Sequence, residues 1–183
     1  MAIQPSVRDA MLRVVPSLRA FAISLCGNVD RADDLVQETL LRALANIESF
    51  EPGTNMSAWL FTILRNLFRS EYRKRRREVE DPDGFHAESL KSPPAQHSRI
   101  EYEELRAAMA VLPADQREAL LLVGASGFSY EEAAAICDCA IGTIKSRVNR
   151  ARARLCELLS LEADDELGPD RTTRAVLTAG GRG

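Results

Sequence analysis

The chain has 183 residues, enough for one ordinary domain or two small ones, so length alone leaves the domain count open. Its 45% hydrophobic and 28% charged residues make a globular composition, and no apolar run approaches the roughly 20 residues of a membrane-spanning helix. A net charge of −3 excludes a uniformly basic nucleic-acid binder, but the charge is segregated along the chain, and distribution outweighs the sum.

The opening residues MAIQPSVRDA lack the basic stretch, apolar run and small-residue cleavage site of a secretory signal, which leaves the cytoplasm as the expected compartment. The cysteines are then expected reduced. Cys137 and Cys139 stand one residue apart, closer than a zinc pair, so with Cys26 and Cys156 they read as small buried apolar residues. Neither a metal nor a cofactor is expected.

From Val7 to Cys26 the residues Met11, Val14, Val15, Leu18, Ala22 and Leu25 recur at helical spacing, with Pro16 starting a new turn or kinking the helix and Gly27 and Asn28 ending it. Asp30 can cap a second helix whose apolar stripe is Ala32, Leu35, Val36, Leu40, Ala43, Leu44 and Ile47. The opposite face carries Asp33, Asp34, Gln37, Glu38, Leu41 and Arg42, and its early acids suit the positive end of the helix dipole. After a loop over Ser49 to Asn55, Ser57 is a plausible cap for a third helix reaching about Arg77. That helix has a core stripe of Leu60, Ile63, Leu64 and Leu67, and a second row of Phe61, Arg65, Phe68, Arg69, Tyr72, Arg73 and Arg76.

From Glu78 to His97 acids, prolines and a glycine replace periodic apolar residues, and this reads as a flexible linker. Helical signal resumes near Arg99 with Ile100, Leu105, Ala108, Met109 and Leu112, and Pro113 opens the next helix with Ala119, Leu120, Leu122 and Val123. Ser129 and Glu132 form a capping-box pattern before the short helix Tyr130 to Ile136. Cys137 to Ala140 make a turn, and a longer helix follows with Ile141, Ile144, Val148, Ala151 and Leu155 as its buried side. Beyond Leu161 an acidic and then small, polar stretch has the composition of a frayed tail. Strand signals are absent. The expected fold is all-α, with two small helical domains at 5–78 and 98–161, a linker at 79–97 and a disordered tail at 162–183.

Two constellations carry chemistry. The segment from Ser129 to Arg154 is a helix-turn-helix pattern, and the outer side of its second helix offers Thr143, Lys145, Ser146, Arg147, Asn149, Arg150, Arg152 and Arg154 with no acid among them. A merely solvated face normally intersperses Glu with Arg to gain ion pairs, so this one is read as DNA-facing. In the third helix seven basic residues (Arg65, Arg69, Arg73, Lys74, Arg75, Arg76 and Arg77) stand against Glu71 alone, a density that implies a polyanion. Phe68, Tyr72 and Trp59 read either as stacking platforms for unpaired bases or as packing residues. His86 and His97 lie in the linker pattern away from any nucleophile, metal-ligand spacing or phosphate loop, so no enzyme is expected.

The segments DDLVQETLLRAL (33–44), NMSAWLFTILRNLFRSEYRKRR (55–76), LPADQREALLL (112–122) and FSYEEAAAICDCAIGTIKSRVNRARARL (128–155) together resemble bacterial extracytoplasmic-function sigma factors of the sigma-70 family. The stretch LRAFAISLCGN (18–28), the linker and the cysteine-containing turn are similar to the subgroup that runs the general stress response of alphaproteobacteria. The resemblance implies a non-enzymatic protein that binds core RNA polymerase, directs it to promoters and helps open the duplex. It implies that Asp34, Leu35, Gln37, Glu38 and Leu41 dock on the polymerase clamp helices. The loop Phe50 to Trp59 would hold a flipped base, with Asn55 and Ser57 as hydrogen-bonding groups, while Phe61, Arg65, Asn66, Arg69, Tyr72, Arg73 and Arg76 line the melting surface. Thr143, Lys145, Ser146, Arg147, Asn149 and Arg150 would recognise the upstream promoter element, a surface that starts at Gly142 and Thr143. An anti-sigma factor is the further implied partner, a small helical protein antagonised by a sigma-like response regulator. A conventional helix-turn-helix regulator with a sensing or dimerising N-terminal domain is the competing reading, separable by its dependence on polymerase.

Overall fold

The computed structural model describes residues 5–51, 53–78 and 96–159, with side chains over 7–51, 53–74 and 104–159. The chain divides into two compact units, Met1–Leu90 and Lys91–Gly183. Among the described residues every regular element is helical, and no helix is long and apolar enough to cross a membrane.

The first unit packs three helices, α1 (Pro5–Cys26), α2 (Val29–Ala45) and α3 (Met56–Glu78), with a 3-10 turn at Ile47–Ser49. The core is the predicted stripe of α1, with Met11, Leu18, Ala22 and Leu25 buried, joined by Phe21, whose ring lies 5.0 Å from that of Phe61 on α3. Each of the larger of these side chains, Met11, Leu18, Phe21 and Leu25, contributes about 1.5–3 kcal/mol when withdrawn from water. Pro16 sits inside α1, which runs through it. Gly27, at φ +68, ends the helix in the left-handed region that favours glycine. The α2 cap is Asn28 rather than Asp30: its side chain accepts from the Arg31 N–H at 2.9 Å, which places Asp30 inside the first turn. Thr39 joins the buried stripe of α2, made possible because its hydroxyl donates to the Leu35 carbonyl at 2.7 Å; Leu44, expected in that stripe, is exposed.

At the start of α3 the side chain of Asn55 accepts from the Ala58 N–H at 3.2 Å, so Asn55 caps the helix and Ser57 lies within the first turn. An exposed fork ties α1 to α2: Arg19 donates from Nε and Nη2 to the two carboxylate oxygens of Asp33 at 2.6 and 3.0 Å. Arg31 joins α2 to α3, lying over the Phe68 ring at 5.7 Å and 3.6 Å from a Glu71 oxygen.

The second unit contains α4 (Gln96–Val111), α5 (Ala114–Leu120), a π-helical turn at Leu121–Ala125, α6 (Tyr130–Cys137) and α7 (Ile141–Leu158). The α4 helix starts at Gln96, three residues before the expected Arg99, and so takes in the last two residues of the linker expected over 79–97; the rest of that linker and the tail lie outside the described residues. A cluster of Ala108, Leu112, Ala151 and Leu155, flanked by Met109, Leu120 and Leu159, seats α7 on α4. Arg117 is buried and donates to the carbonyls of Met109 and Ala110, both at 3.4 Å, satisfying acceptors that α4 leaves open at its end. Burial lowers the pKa of Arg117 from its ordinary value.

Candidate nucleic-acid interface

The helix-turn-helix is built by its caps. Ser129 Oγ accepts from the Glu132 N–H at 3.1 Å while the Glu132 carboxylate accepts from the Ser129 N–H at 2.9 Å, the reciprocal capping box the sequence predicts. The helix ends at Asp138, which adopts φ +48, and the Cys139 N–H donates back to the Ala134 carbonyl at 3.1 Å. Because α6 runs to Cys137, the turn is Asp138–Ala140, one residue shorter than expected.

Ile144, Val148, Ala151 and Leu155 bury the inner row of α7, whereas Ile141, expected among them, is exposed in the first turn. Lys145, Asn149 and Arg150 are exposed, with Thr143 and Ser146 half-buried. Gly142 opens the same outer surface, and apart from its chain neighbours and the adjoining backbone of its own helix nothing stands within 4 Å of the position a Cβ would take there. The acid-free reading of this surface requires correction, because folding brings acids to its edges. Arg147 Nε lies 3.0 Å from Asp115 Oδ2 of α5, and Arg154 pairs with Glu157 at 2.8 Å. The Lys145 ammonium lies 5.8 Å from the centre of the Tyr130 ring. Its charge, after the backbone and Ser129 hydrogen bonds, helps hold the Glu131 carboxyl below the usual range. Tyr130 and Asp115 are thus partners of the surface that sequence periodicity left unassigned.

The third helix divides its basic-aromatic row. Phe61 is 0% exposed and Arg65 3%, and Phe68 is buried, so these three belong to the interior and not to a melting surface. Spacing alone puts Phe61 in the basic-aromatic row, but its ring packs beside that of Phe21 in the core. What remains outward is Asn66, Arg69, Tyr72, Arg73 and Lys74, with Tyr72 45% exposed and its ring 6.4 Å from that of Phe68. The Arg76 side chain lies outside the described ones. Ahead of the helix, Phe50 and Trp59 are half-buried against one another, ring centres 5.2 Å apart, beside exposed Asn55 and half-buried Ser57.

On α2, Asp34, Gln37 and Leu41 are exposed and Glu38 is half-buried, with Leu41 at 57%. Leu35 is 2% exposed and lies in the core, on the opposite side of the helix from a docking face; it does not share the surface expected of it. Glu38 accepts from Arg42 Nε at 2.8 Å one helical turn on. Asp34, Glu38 and Arg42 face Ser70, Glu71 and Lys74 of α3 across a groove.

Comparison with known proteins agrees with this arrangement. Residues 11–78 match the family model for Sigma-70 region 2 and residues 102–155 that for Sigma-70 region 4. The chain is 69% identical over 183 residues, the whole of both proteins, to the ECF RNA polymerase sigma factor EcfG of Rhodopseudomonas palustris strain TIE-1. It is 39% identical over 148 residues to the ECF RNA polymerase sigma factor SigC of Mycobacterium tuberculosis strain CDC 1551, covering 80% of this chain and 78% of that one. The sigma factor RpoE of Bartonella quintana, solved in complex with the anti-sigma factor NepR, superposes with a TM-score of 0.77 at 57% identity, covering 87% of this chain and 99% of that one. The chain belongs to the ECF RNA polymerase sigma factors, which are transcription initiation factors and not enzymes.

Proposed function

We propose that this sigma factor acts in the cytoplasm, binds core RNA polymerase and directs it to promoters of a general stress response through two separately built DNA surfaces. Residues 5–78 form the polymerase-binding and melting domain, and residues 98–161 the domain that reads the upstream promoter element. The exposed Asp34, Gln37 and Leu41 of α2, with half-buried Glu38, dock on the polymerase clamp helices, which gives an exposed leucine a reason to be there. The Phe50–Trp59 loop receives a base flipped from the non-template strand, with Asn55 and Ser57 as hydrogen-bonding groups, while Arg69, Tyr72 and Arg73 grip the adjoining strand. Thr143, Lys145, Ser146, Asn149 and Arg150 meet the upstream element. An anti-sigma factor of the NepR kind holds the chain inactive, and a sigma-like response regulator removes it.

The observation that carries this reading is that two compact units each present an outward cationic helix, α3 and α7, in a chain that matches an ECF sigma factor from end to end. Run-off transcription with purified core polymerase tests it. Transcripts that depend on adding this chain are expected from a subset of a genomic promoter library; no dependent transcript from any member overturns the proposal.

A further inference from the structure

Among the cations of the outer surface of α7, Arg147 is held at two points. Its Nε is 3.0 Å from Asp115 Oδ2 in the first turn of α5. Its Nη1 donates toward Cys139 Sγ, 3.8 Å away, in the turn that leads into α7. Arg147 stands between the buried row of Ile144, Val148 and Ala151 and the exposed Arg150, and it is itself half-buried. A planar guanidinium engaged on both sides of its fork is fixed in direction as well as in place.

We propose that Arg147 is a positioning residue and not a DNA contact: by bridging Asp115 on α5 and Cys139 in the turn, it sets the rotation of α7 about its own axis. That rotation decides which base edges Ser146, Asn149 and Arg150 meet, so the inference rests on the reading of α7 as the element that recognises promoter sequence. Hydrogen bonds to base edges weaken steeply away from their preferred angle, whereas long cations follow a phosphate through small rotations. Loosening the bridge therefore lowers sequence discrimination and leaves sequence-independent binding in place. The partners Asp115 and Arg147 lie on different helices, so the bridge also resists sliding of α7 along α5.

The test uses the full chain with core RNA polymerase on duplexes recovered from a random-sequence pool by the wild-type holoenzyme, against scrambled versions of those duplexes. Asp115→Ala is the sharpest variant, because it leaves Arg147 in the chain and removes an acid beside the DNA surface. Its ratio of affinities for recovered over scrambled duplex is expected to fall about tenfold, the size of one misplaced base contact, with affinity for the scrambled duplex no weaker than that of the wild type. The exchange Asp115→Arg with Arg147→Asp rebuilds the bridge in reverse and is expected to restore the ratio. The proposal is overturned if Asp115→Ala keeps the wild-type ratio of recovered over scrambled affinity, whether or not loss of the acid tightens binding to both duplexes. It is equally overturned if Arg147→Ala reduces the log-log salt slope by about 0.9, the signature of one lost phosphate contact. Recovery of no common sequence by the wild-type holoenzyme would instead overturn the reading of α7 on which the inference stands.

Discussion

The two cationic helices of this chain differ in how their side chains are held. On α7 the flanking cations lie beside groups from other elements, Arg147 at Asp115 and Lys145 at Tyr130, so the surface between them has a fixed outline. On α3 the anchoring arginine comes from outside the helix: Arg31 of α2 packs on Phe68 and approaches Glu71, while Arg69, Tyr72 and Arg73 project into solvent. The difference fits two tasks. Reading base edges requires donors held in fixed directions, whereas following the backbone of a strand that is changing shape requires charge on adaptable stems.

The largest effect is expected where the comparison depends on burial. Phe61→Ala should cost about 3–5 kcal/mol of stability in urea unfolding, because it empties a site filled against Phe21. Unchanged stability with impaired promoter opening would return Phe61 to the DNA surface and erase part of the contrast. Next, Arg150→Ala should weaken binding to the recognised upstream element by about 1–3 kcal/mol and relax specificity at one position, measured by competition between single-base variants of the duplex. A uniform loss across all sequences would make α7 a phosphate gripper like α3. Smaller still, Arg69→Ala and Arg73→Ala should each lower the log-log salt slope of holoenzyme binding by about 0.7 on single-stranded promoter DNA, with no change in sequence preference. A change of preference would show that α3 reads as well as grips.

The smallest effect concerns the frame that carries α2 and α1. The hydrogen bonds from Arg19, ahead of its charge, hold the Asp33 carboxyl below its ordinary value. As pH falls the unfolded chain therefore takes up this proton first, so the contribution of the pair is complete above the ordinary aspartate range, about 3.9, and is lost as pH falls through the lower folded value. The difference in melting temperature between the wild type and Arg19→Gln should be small at neutral pH, since both side chains are well exposed, and should close below about pH 4. A difference that persists in acid would assign Arg19 a packing role in place of the ion pair.

Apolar spacing was sufficient to find the helices, and the pair Ser129 and Glu132 was sufficient to find the start of α6, because both signals act within a turn or two of chain. The same spacing set Phe61 and Arg65 in an outward row, because it gives the repeat of a face but not which face another helix will cover; Leu35 it placed correctly in the buried stripe, and only the family resemblance moved that residue to a docking face. Two adjacent rows on α3 are apolar enough to be buried, and α1 and α2 together cover parts of both. The Arg147–Asp115 bridge was illegible for a different reason: Asp115 reads locally as an ordinary acid in a helix's first turn, and only the packing of α7 on α5 gives it a partner. Thr39 in the core was hidden because its hydroxyl is satisfied by its own helix, a bond that no hydropathy pattern records.

Gly142 gives the outer surface of α7 one further property. Alanine is favoured over glycine within a helix by up to about 1 kcal/mol, and at this position the protein itself offers no obstacle to the added methyl group. The free chain should therefore accept Gly142→Ala without loss of stability. Any weakening that this single carbon causes on promoter DNA must arise from the nucleic acid, so residue 142 serves as a depth gauge, reporting how closely the backbone of α7 approaches the floor of the groove.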